Sequence, residues 1–142
     1  MVRINLINPE ALSDQHLIAE YNEILMLLGY VRKHSDSDSF IPERYTLGKG
    51  HIKFFRNKLG YLKRRHGLIR KEMSSRGFRT DVSVDLEGFN LSLVQDWTPD
   101  EADKTLIRKR IIEKLRMKDG FYRYNGKVVP IESLVMRIES SE

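Results

Sequence analysis

One long pattern of apolar residues in the middle of the sequence does most to restrict how this chain folds. Between positions 52 and 73, mostly apolar residues recur at alternating steps of three and four, at Ile52, Phe55, Leu59, Leu62, His66, Ile69 and Met73. That spacing places all of them on one face of a helix. Gly77 follows as a typical stop signal. The sequence therefore predicts a long amphipathic helix, with His66 as a hydrogen-bonded core residue.

Two glycines lie within that predicted helix. Gly60 and Gly67 are seven positions apart and so share a face. Each costs a helix about 1 kcal/mol relative to alanine. Close approach of another helix, or of a nucleic-acid backbone, would offset the cost, and we favour helix packing.

A second helix is predicted near the start of the chain. Ser13 has the residue type of an N-cap. A buried stripe follows at helical spacing, at Leu17, Tyr21, Ile24 and Leu28. His16, Glu20 and Glu23 lie on a different face, so Glu23 is expected to point away from the main core or toward its edge.

A third helix is predicted from the stretch that begins "TPDEADK". Thr98 as N-cap, Pro99 at the first position and Glu101 three residues after the cap form a capping-box pattern. Its buried face is supplied by Ile107, Ile111 and Leu115. Arg110 and Lys114 are neighbours on an adjacent polar face.

These elements favour an all-α fold with one domain over residues 1–142. A short hairpin is considered for residues 82–94, where apolar and polar residues alternate around Gly88. The longest apolar run, residues 24–31, is far shorter than the roughly 20 residues of a membrane-spanning helix. With no cysteine and no secretion signal, a cytoplasmic protein without membrane association is expected.

Charge is strongly segregated along the chain. Residues 44–79 contain twelve basic and one acidic side chains, residues 80–103 contain seven acidic and none basic, and residues 104–127 contain nine basic and two acidic. Clustered lysine and arginine bind polyanions by releasing phosphate counterions. The pattern therefore indicates a nucleic-acid partner, with a merely solvated basic surface as the alternative.

Metal and nucleotide cofactors are not expected. The four histidines are never three or four positions apart, and no cysteine is present. The stretch "TLGKGH" has two glycines but lacks the spacing of a phosphate-binding loop.

Near the end, "FYRYNGK" interleaves aromatic and basic residues. Tyr122 and Tyr124 could stack on unpaired bases while Arg123 and Lys127 hold the backbone. Alternatively, the aromatic residues anchor this segment on the core, and the sequence does not decide between the two.

Several short motifs follow one another in a recognisable order. They are "RINL" at residues 3–6, "DQHL" with "AEY" and Glu23, "VRKH" at 31–34, "LGKGH", "FF" and "KL" between 47 and 59, "RGF" at 76–78, and "YRYNGK". Together they resemble the phage-type pyrimidine-dimer DNA glycosylase/AP lyases, the endonuclease V family of ultraviolet repair. The resemblance covers about residues 2–127 and leaves 128–142 as a C-terminal extension. It implies three main helices with the N-terminal segment threaded between them.

The resemblance also implies a nucleophile that belongs to the main chain. In this family it is the α-amino group exposed when the initiator methionine is removed, which here is that of Val2. An α-amine has a reference pKa of about 7.7–8.0, against about 10.4 for lysine, so a useful neutral fraction exists near pH 7. Glu23 matches the family's catalytic carboxylate, and no cofactor is implied.

Other positions carry over as DNA contacts. The resemblance places Arg3, Gln15, His16, Arg110 and Lys114 on the DNA side of the site. His51 matches a family histidine, and both a functional and a structural role are open for it.

Two positions depart from the family pattern. Asn22 and Met26 stand where the best-known member has arginines. Asn22 remains a candidate DNA contact, and loss of the two cations affects which lesion is accepted.

The sequence thus predicts a monomeric DNA glycosylase with AP lyase activity on damaged duplex DNA, with cyclobutane pyrimidine dimers as the first candidate lesion. Two alternatives remain open. One is the same imine chemistry on another damaged base, and the other is a non-catalytic, sequence-independent DNA-binding protein.

Overall fold

A computed structural model describes residues 3–34 and 40–142, and in them the chain is mainly helical. The helices are α1 (Asp14–Lys33), α2 (His51–Phe54), α3 (Leu59–Ser75), α4 (Glu101–Met117) and α5 (Ile131–Glu139), and the strands are β1 (Arg123–Tyr124) and β2 (Lys127–Val128). The prediction of an all-α fold is confirmed. Helices α1, α3 and α4 are the three main helices that the sequence predicted.

Helix α1 begins and packs as its sequence indicates. The Ser13 hydroxyl accepts a hydrogen bond from the His16 backbone N–H and so caps the first turn. The predicted stripe is buried in full, at Leu17, Tyr21, Ile24 and Leu28. This face packs against α3.

The long apolar pattern is divided between two helices. Lys58 has φ −122° and ψ 39°, outside the helical region, and its backbone pairs with Val94 in an isolated bridge. The helix is therefore interrupted between α2 and α3, although the apolar side chains on both sides still enter one core. Helix α3 ends at Ser75, and Gly77 has φ 84°, the left-handed conformation expected of a glycine stop.

The two glycines of α3 do not mark a helix-packing face, and that prediction is wrong. A Cβ at Gly60 would lie 3.0 Å from the carbonyl oxygen of Gln95, which belongs to a loop. Gly67 faces open space. Only the first glycine is required by a close approach.

Helix α4 begins two residues later than predicted. Asp100, not Thr98, is the N-cap: its carboxylate accepts from the Asp103 N–H at 2.8 Å, and the Asp103 carboxylate accepts from the Asp100 N–H at 3.0 Å. Aspartate accepts backbone N–H groups at least as well as threonine does, so the capping box shifts to the acidic pair. The predicted buried face of Ile107, Ile111 and Leu115 is confirmed.

The hairpin considered for residues 82–94 does not form. Side chains of α1 hold this segment instead: the Tyr21 hydroxyl bonds to the N–H and C=O of Val82, and Arg32 donates to the carbonyls of Asp85 and Glu87. Backbone groups bonded to α1 are not available for pairing within the segment. The antiparallel pair lies at β1 and β2, around a turn in which Asn125 and Gly126 have positive φ.

The N-terminal segment runs through the interior, and Ile4, Ile7 and Leu12 are fully buried. Arg65 of α3 donates a hydrogen bond to the carbonyl of Ile7 and pairs with Glu20 of α1 at 2.7 Å. The C-terminal extension adds α5, which packs on α4. Among residues 3–34 and 40–142, no helix is long and apolar enough to cross a membrane.

Candidate functional site

A basic pocket of about 180 Å³ lies between the N-terminal segment, α1 and α4. Its lining residues are Arg3, Asn5, His16, Ala19, Arg110, Lys114 and Tyr122. Five of these, all except Asn5 and Ala19, were singled out from the sequence as candidate DNA contacts. The fold therefore brings together side chains that lie more than a hundred positions apart in the chain.

His16 is a neutral base in this pocket near pH 7. Its ring stacks on Tyr122 with the centroids 4.9 Å apart, and its Nδ1 lies 3.0 Å from the Ser13 hydroxyl. Burial, together with the positive charges of Arg110 and Lys114, lowers the pKa of His16 to about 4. A neutral imidazole has one ring N–H donor and one acceptor nitrogen, and it adds no positive charge to the pocket.

The cations of the pocket are held on different elements. Arg3 donates from Nε to the carbonyl oxygen of Leu47 at 2.8 Å. Burial and the charge of Arg3 lower the pKa of Arg110, yet a guanidinium remains protonated at neutral pH. Arg3, Arg110 and Lys114 thus concentrate positive charge in one small cavity, where it attracts anions such as phosphates.

Glu23 is half-buried on α1, one turn beyond Ala19 on the same helix face. Burial raises the pKa of its carboxyl group, while the positive charge of Arg3 acts in the opposite direction. The carboxylate is therefore within electrostatic range of Arg3, one of the cations of the pocket. A raised pKa suits a group that exchanges protons.

Two neighbours of Glu23 on α1 are exposed. Asn22 donates from Nδ2 to the carbonyl of Ile18 at 3.2 Å, and Met26 is 68% exposed. The positions that depart from the family pattern thus border the site on the solvent side.

Much of the aromatic segment near the C-terminus is anchored on the protein. Gln15 fixes it through two hydrogen bonds, donating to the Phe121 carbonyl at 2.7 Å and accepting from the Arg123 N–H at 2.9 Å. Tyr124 donates its hydroxyl proton to the Glu10 carbonyl. The guanidinium carbons of Arg76 and Arg137 lie 4.1 and 4.0 Å from the centre of the Tyr124 ring.

The remaining predicted contacts are exposed or outside the described residues. Arg123 and Lys127 are exposed on β1 and β2. Val2 lies outside the residues that the structure describes. Across those described residues, no group of three or more histidine, cysteine, aspartate or glutamate side chains could hold a metal ion.

Two contributions were missed by the sequence reasoning. Asn5, almost fully buried in the pocket wall, sits in an apolar stretch where nothing distinguishes it. Asp14 accepts backbone N–H bonds from Asn125 and Gly126 at 3.0 and 2.7 Å, and so holds the turn between β1 and β2. The Asn-Gly dipeptide is a known turn signal and could have located that turn.

Fold and site together define a small helical protein with an anion-attracting pocket, bordered by a half-buried carboxylate on α1. The family model for pyrimidine dimer DNA glycosylases matches residues 1–86, and the chain belongs to this family. The matched span includes the N-terminal segment, α1, α2 and α3. Helix α4, which supplies Arg110 and Lys114 to the pocket, lies beyond the matched residues.

Proposed function

We propose that this chain removes damaged bases from duplex DNA and then cleaves the strand, as a DNA glycosylase with AP lyase activity. The observation that supports this most is the cation-rich pocket beside Glu23, built on the N-terminal segment of a chain that belongs to the pyrimidine dimer DNA glycosylase family. Cyclobutane pyrimidine dimers are the substrate we expect first.

The proposed nucleophile is the α-amine of Val2, freed by removal of Met1. Its lone pair forms a bond to C1′ of the damaged nucleotide while the glycosidic bond breaks and the base leaves with the bonding electrons. The amine then gives up a proton, the sugar ring opens at O4′, and an iminium links Val2 to C1′. Removal of a C2′ hydrogen finally expels the 3′ phosphate by β-elimination.

Glu23 is proposed as the carboxylate that serves these steps. A carboxylate stabilises positive character at the sugar and the iminium. With its raised pKa it also moves the protons that the imine and elimination steps require.

The basic pocket is proposed to hold the DNA backbone around the lesion. Extruding a nucleotide costs a few kcal/mol of stacking and pairing, and phosphate contacts offset that cost. Arg3, Arg110 and Lys114 supply the charge for such contacts, while the neutral His16 lines the same pocket and stacks on Tyr122.

Borohydride trapping tests the proposal directly. The Met-free protein should form a covalent adduct with duplexes that contain an abasic site or a pyrimidine dimer, and peptide mass spectrometry should map it to residue 2. An N-terminal extension and Glu23→Gln should each abolish or strongly reduce trapping. No adduct with the Met-free protein, or an adduct unaffected by both changes, would rule out this chemistry.

The lesion itself needs a separate measurement. Exposed Asn22 and Met26 favour considering another damaged base as substrate of the same chemistry. A panel of duplexes with single lesions decides which is cleaved fastest. Nicking of ultraviolet-irradiated plasmid separates a pyrimidine-dimer glycosylase from a protein that only binds DNA. We further propose that the protein is a monomer and acts in the cytoplasm. Sedimentation with and without duplex would test its oligomeric state.

A further inference from the structure

The segment 45–51, "YTLGKGH", surrounds the first described residues of the chain. Tyr45 donates its hydroxyl proton to the carbonyl oxygen of Ile4 at 2.8 Å, and His51 Nε2 accepts the N–H of Ile4 at 3.0 Å. The carbonyl of Leu47 accepts from Arg3. One short segment thus forms hydrogen bonds to the backbone N–H and C=O of Ile4 and to the side chain of Arg3.

The hydrogen bonds of His51 specify its protonation state. Because Nε2 accepts from Ile4, it has no proton, so the ring proton is on Nδ1, which donates to the Thr46 carbonyl at 2.8 Å. Burial lowers the pKa of His51 to about 4, and the charge of Arg3 contributes to this. The imidazole is therefore neutral and correctly polarised for this bond at physiological pH.

Packing fixes the position of the Tyr45 side chain. It is 5% exposed, and its ring contacts His51, Phe54 and Phe55 edge-on with centroids 5.4, 5.9 and 6.0 Å apart. It also stacks on Trp97 at 6.2 Å. A ring packed on several sides has few alternative rotamers, so its hydroxyl is a fixed donor.

The backbone of the segment is also closely packed. A Cβ at Gly50 would lie 2.8 Å from Cγ of Pro42 and 3.1 Å from Cγ2 of Thr46, so only glycine fits there without displacement. This explains the glycine at this point of a segment that lacks the spacing of a phosphate-binding loop.

We propose that Tyr45 and His51 are positioning residues that fix the Ile4 peptide and thereby orient the chain terminus for attack on the sugar. The inference rests on the proposed function, in which the amine two residues before Ile4 is the nucleophile. A nucleophile on an unrestrained terminus samples many positions, and misplacement by about 1 Å can cost a hundredfold in rate. Hydrogen bonds from Tyr45 and His51 restrain the backbone close to the amine and so reduce that loss in rate, without either side chain contacting DNA.

The test uses three variants and two matched controls. His51→Phe keeps the ring and removes both hydrogen bonds, Tyr45→Phe removes only the hydroxyl, and His51→Gln restores an acceptor near the position of Nε2. The controls are His66→Phe and Tyr61→Phe, which change buried rings of the same types; among the described residues, the hydrogen bonds to Ile4 come from Tyr45 and His51.

Three quantities are measured for each protein after its fold is verified by circular dichroism. They are the single-turnover rate of borohydride trapping on an abasic duplex, the Kd for the same duplex without borohydride, and hydrogen exchange at the Ile4 amide. We expect His51→Phe and Tyr45→Phe to trap 10- to 100-fold more slowly with Kd changed by less than threefold. Ile4 should exchange at least tenfold faster in His51→Phe, and His51→Gln should recover part of both the protection and the rate.

The inference is overturned if the trapping rates of His51→Phe and Tyr45→Phe match wild type, or if the two controls slow trapping to the same extent. It is also overturned if the rate falls only in proportion to DNA binding. Failure of the wild-type protein to trap at residue 2 is a different result, because it refutes the proposed function itself, and the positioning role with it. In that case Ile4 exchange still reports whether the two side chains order the segment.

Discussion

Asp14 and Arg76 form a buried ion pair, with Oδ1 and Nη1 3.0 Å apart, that joins the start of α1 to the end of α3. Arg76 also pairs with Glu72 and donates to backbone carbonyls of the N-terminal segment. Because Asp14 accepts from the turn between β1 and β2 as well, one pair connects four parts of the molecule. The turn in question follows Tyr122, so this connection supports one wall of the basic pocket.

Replacing Asp14 with Asn should therefore destabilise the protein substantially. Asparagine removes the charge opposite Arg76, which keeps Glu72 as its partner, and it replaces one of the two oxygens that accept backbone N–H groups of the turn with an NH2 group. A buried polar group left unsatisfied typically costs about 1–3 kcal/mol. Urea denaturation at pH 7 measures the loss. Arg64→Gln, which breaks an ion pair of two exposed side chains, is the control and should change stability little. Equal effects of the two changes would contradict the assigned role of Asp14.

Replacing Glu23 with Gln should slow trapping on an abasic duplex by at least 10²-fold while leaving the Kd for DNA within a fewfold of wild type. Burial raises the pKa of Glu23 above the ordinary value of 4.5. Protonation of the Val2 amine should lower the rate of both proteins below about pH 8. Protonation of Glu23 should make the wild-type rate fall more steeply at more acidic pH, beginning at a higher pH than an ordinary glutamate would give. The variant should lack this additional fall, and its presence in the variant would assign it to a group other than Glu23.

Replacing Arg110 or Lys114 with Gln should weaken DNA binding in a salt-dependent way. Each phosphate contact contributes about 0.9 to the slope of log K against log salt concentration, so each variant should have a slope shallower by about 1. Arg116→Gln is the matched control, because that guanidinium is bonded to Glu132. Fluorescence anisotropy from 50 to 200 mM salt provides the slopes. Unchanged slopes for both pocket variants would place the phosphates elsewhere.

The neutral state of His51 predicts a specific pH dependence of stability. Its pKa is about 4 in the folded protein and about 6.5 when unfolded, so the unfolded chain binds the proton more readily. Stability from this residue is complete above pH 6.5 and is lost as the pH falls toward 4, by roughly 3 kcal/mol at most. Urea denaturation of wild type and His51→Phe at several pH values should therefore converge on acidification. Parallel curves would show that the pKa of His51 is the same in the folded and unfolded protein.

Restoring positive charge beside Glu23 should strengthen DNA binding. Asn22→Arg and Met26→Arg place cations on exposed positions of α1, where they add no burial cost. We expect the double variant to bind duplex about tenfold more tightly at 100 mM salt and to shift activity toward pyrimidine dimers on the lesion panel. A gain in affinity with no change in lesion order would show that these positions do not select the lesion.

Local signals predicted the helices well and their interruptions poorly. The Ser13 cap, the stripe from Leu17 to Leu28 and the stop at Gly77 each depend on neighbours within a few residues, and all three are present in the structure. The break at Lys58 is different, because it depends on pairing with Val94, a contact between distant segments. Helical periodicity continues through such a break and does not reveal it.

The candidate site was predictable mainly through resemblance. Arg3, His16, Arg110 and Lys114 were assigned to one site by matching motifs, and the fold does bring them to one pocket. No local pattern placed Asn5 in its wall. The hairpin was considered for the acidic segment because apolar and polar residues alternate there, but Tyr21 and Arg32 bond to backbone groups of that segment. Alternation alone does not show which partner a backbone has.

The pair between Glu20 and Arg65 has a consequence for how this sequence can diverge. Both side chains are almost completely buried, with 0% and 3% exposure, and Arg65 also bonds to the carbonyl of Ile7. Changing either residue alone leaves a charge without its counterpart in the core. Descendants of this chain should therefore retain both residues or exchange both for an uncharged pair, so that the two positions are inherited as a unit.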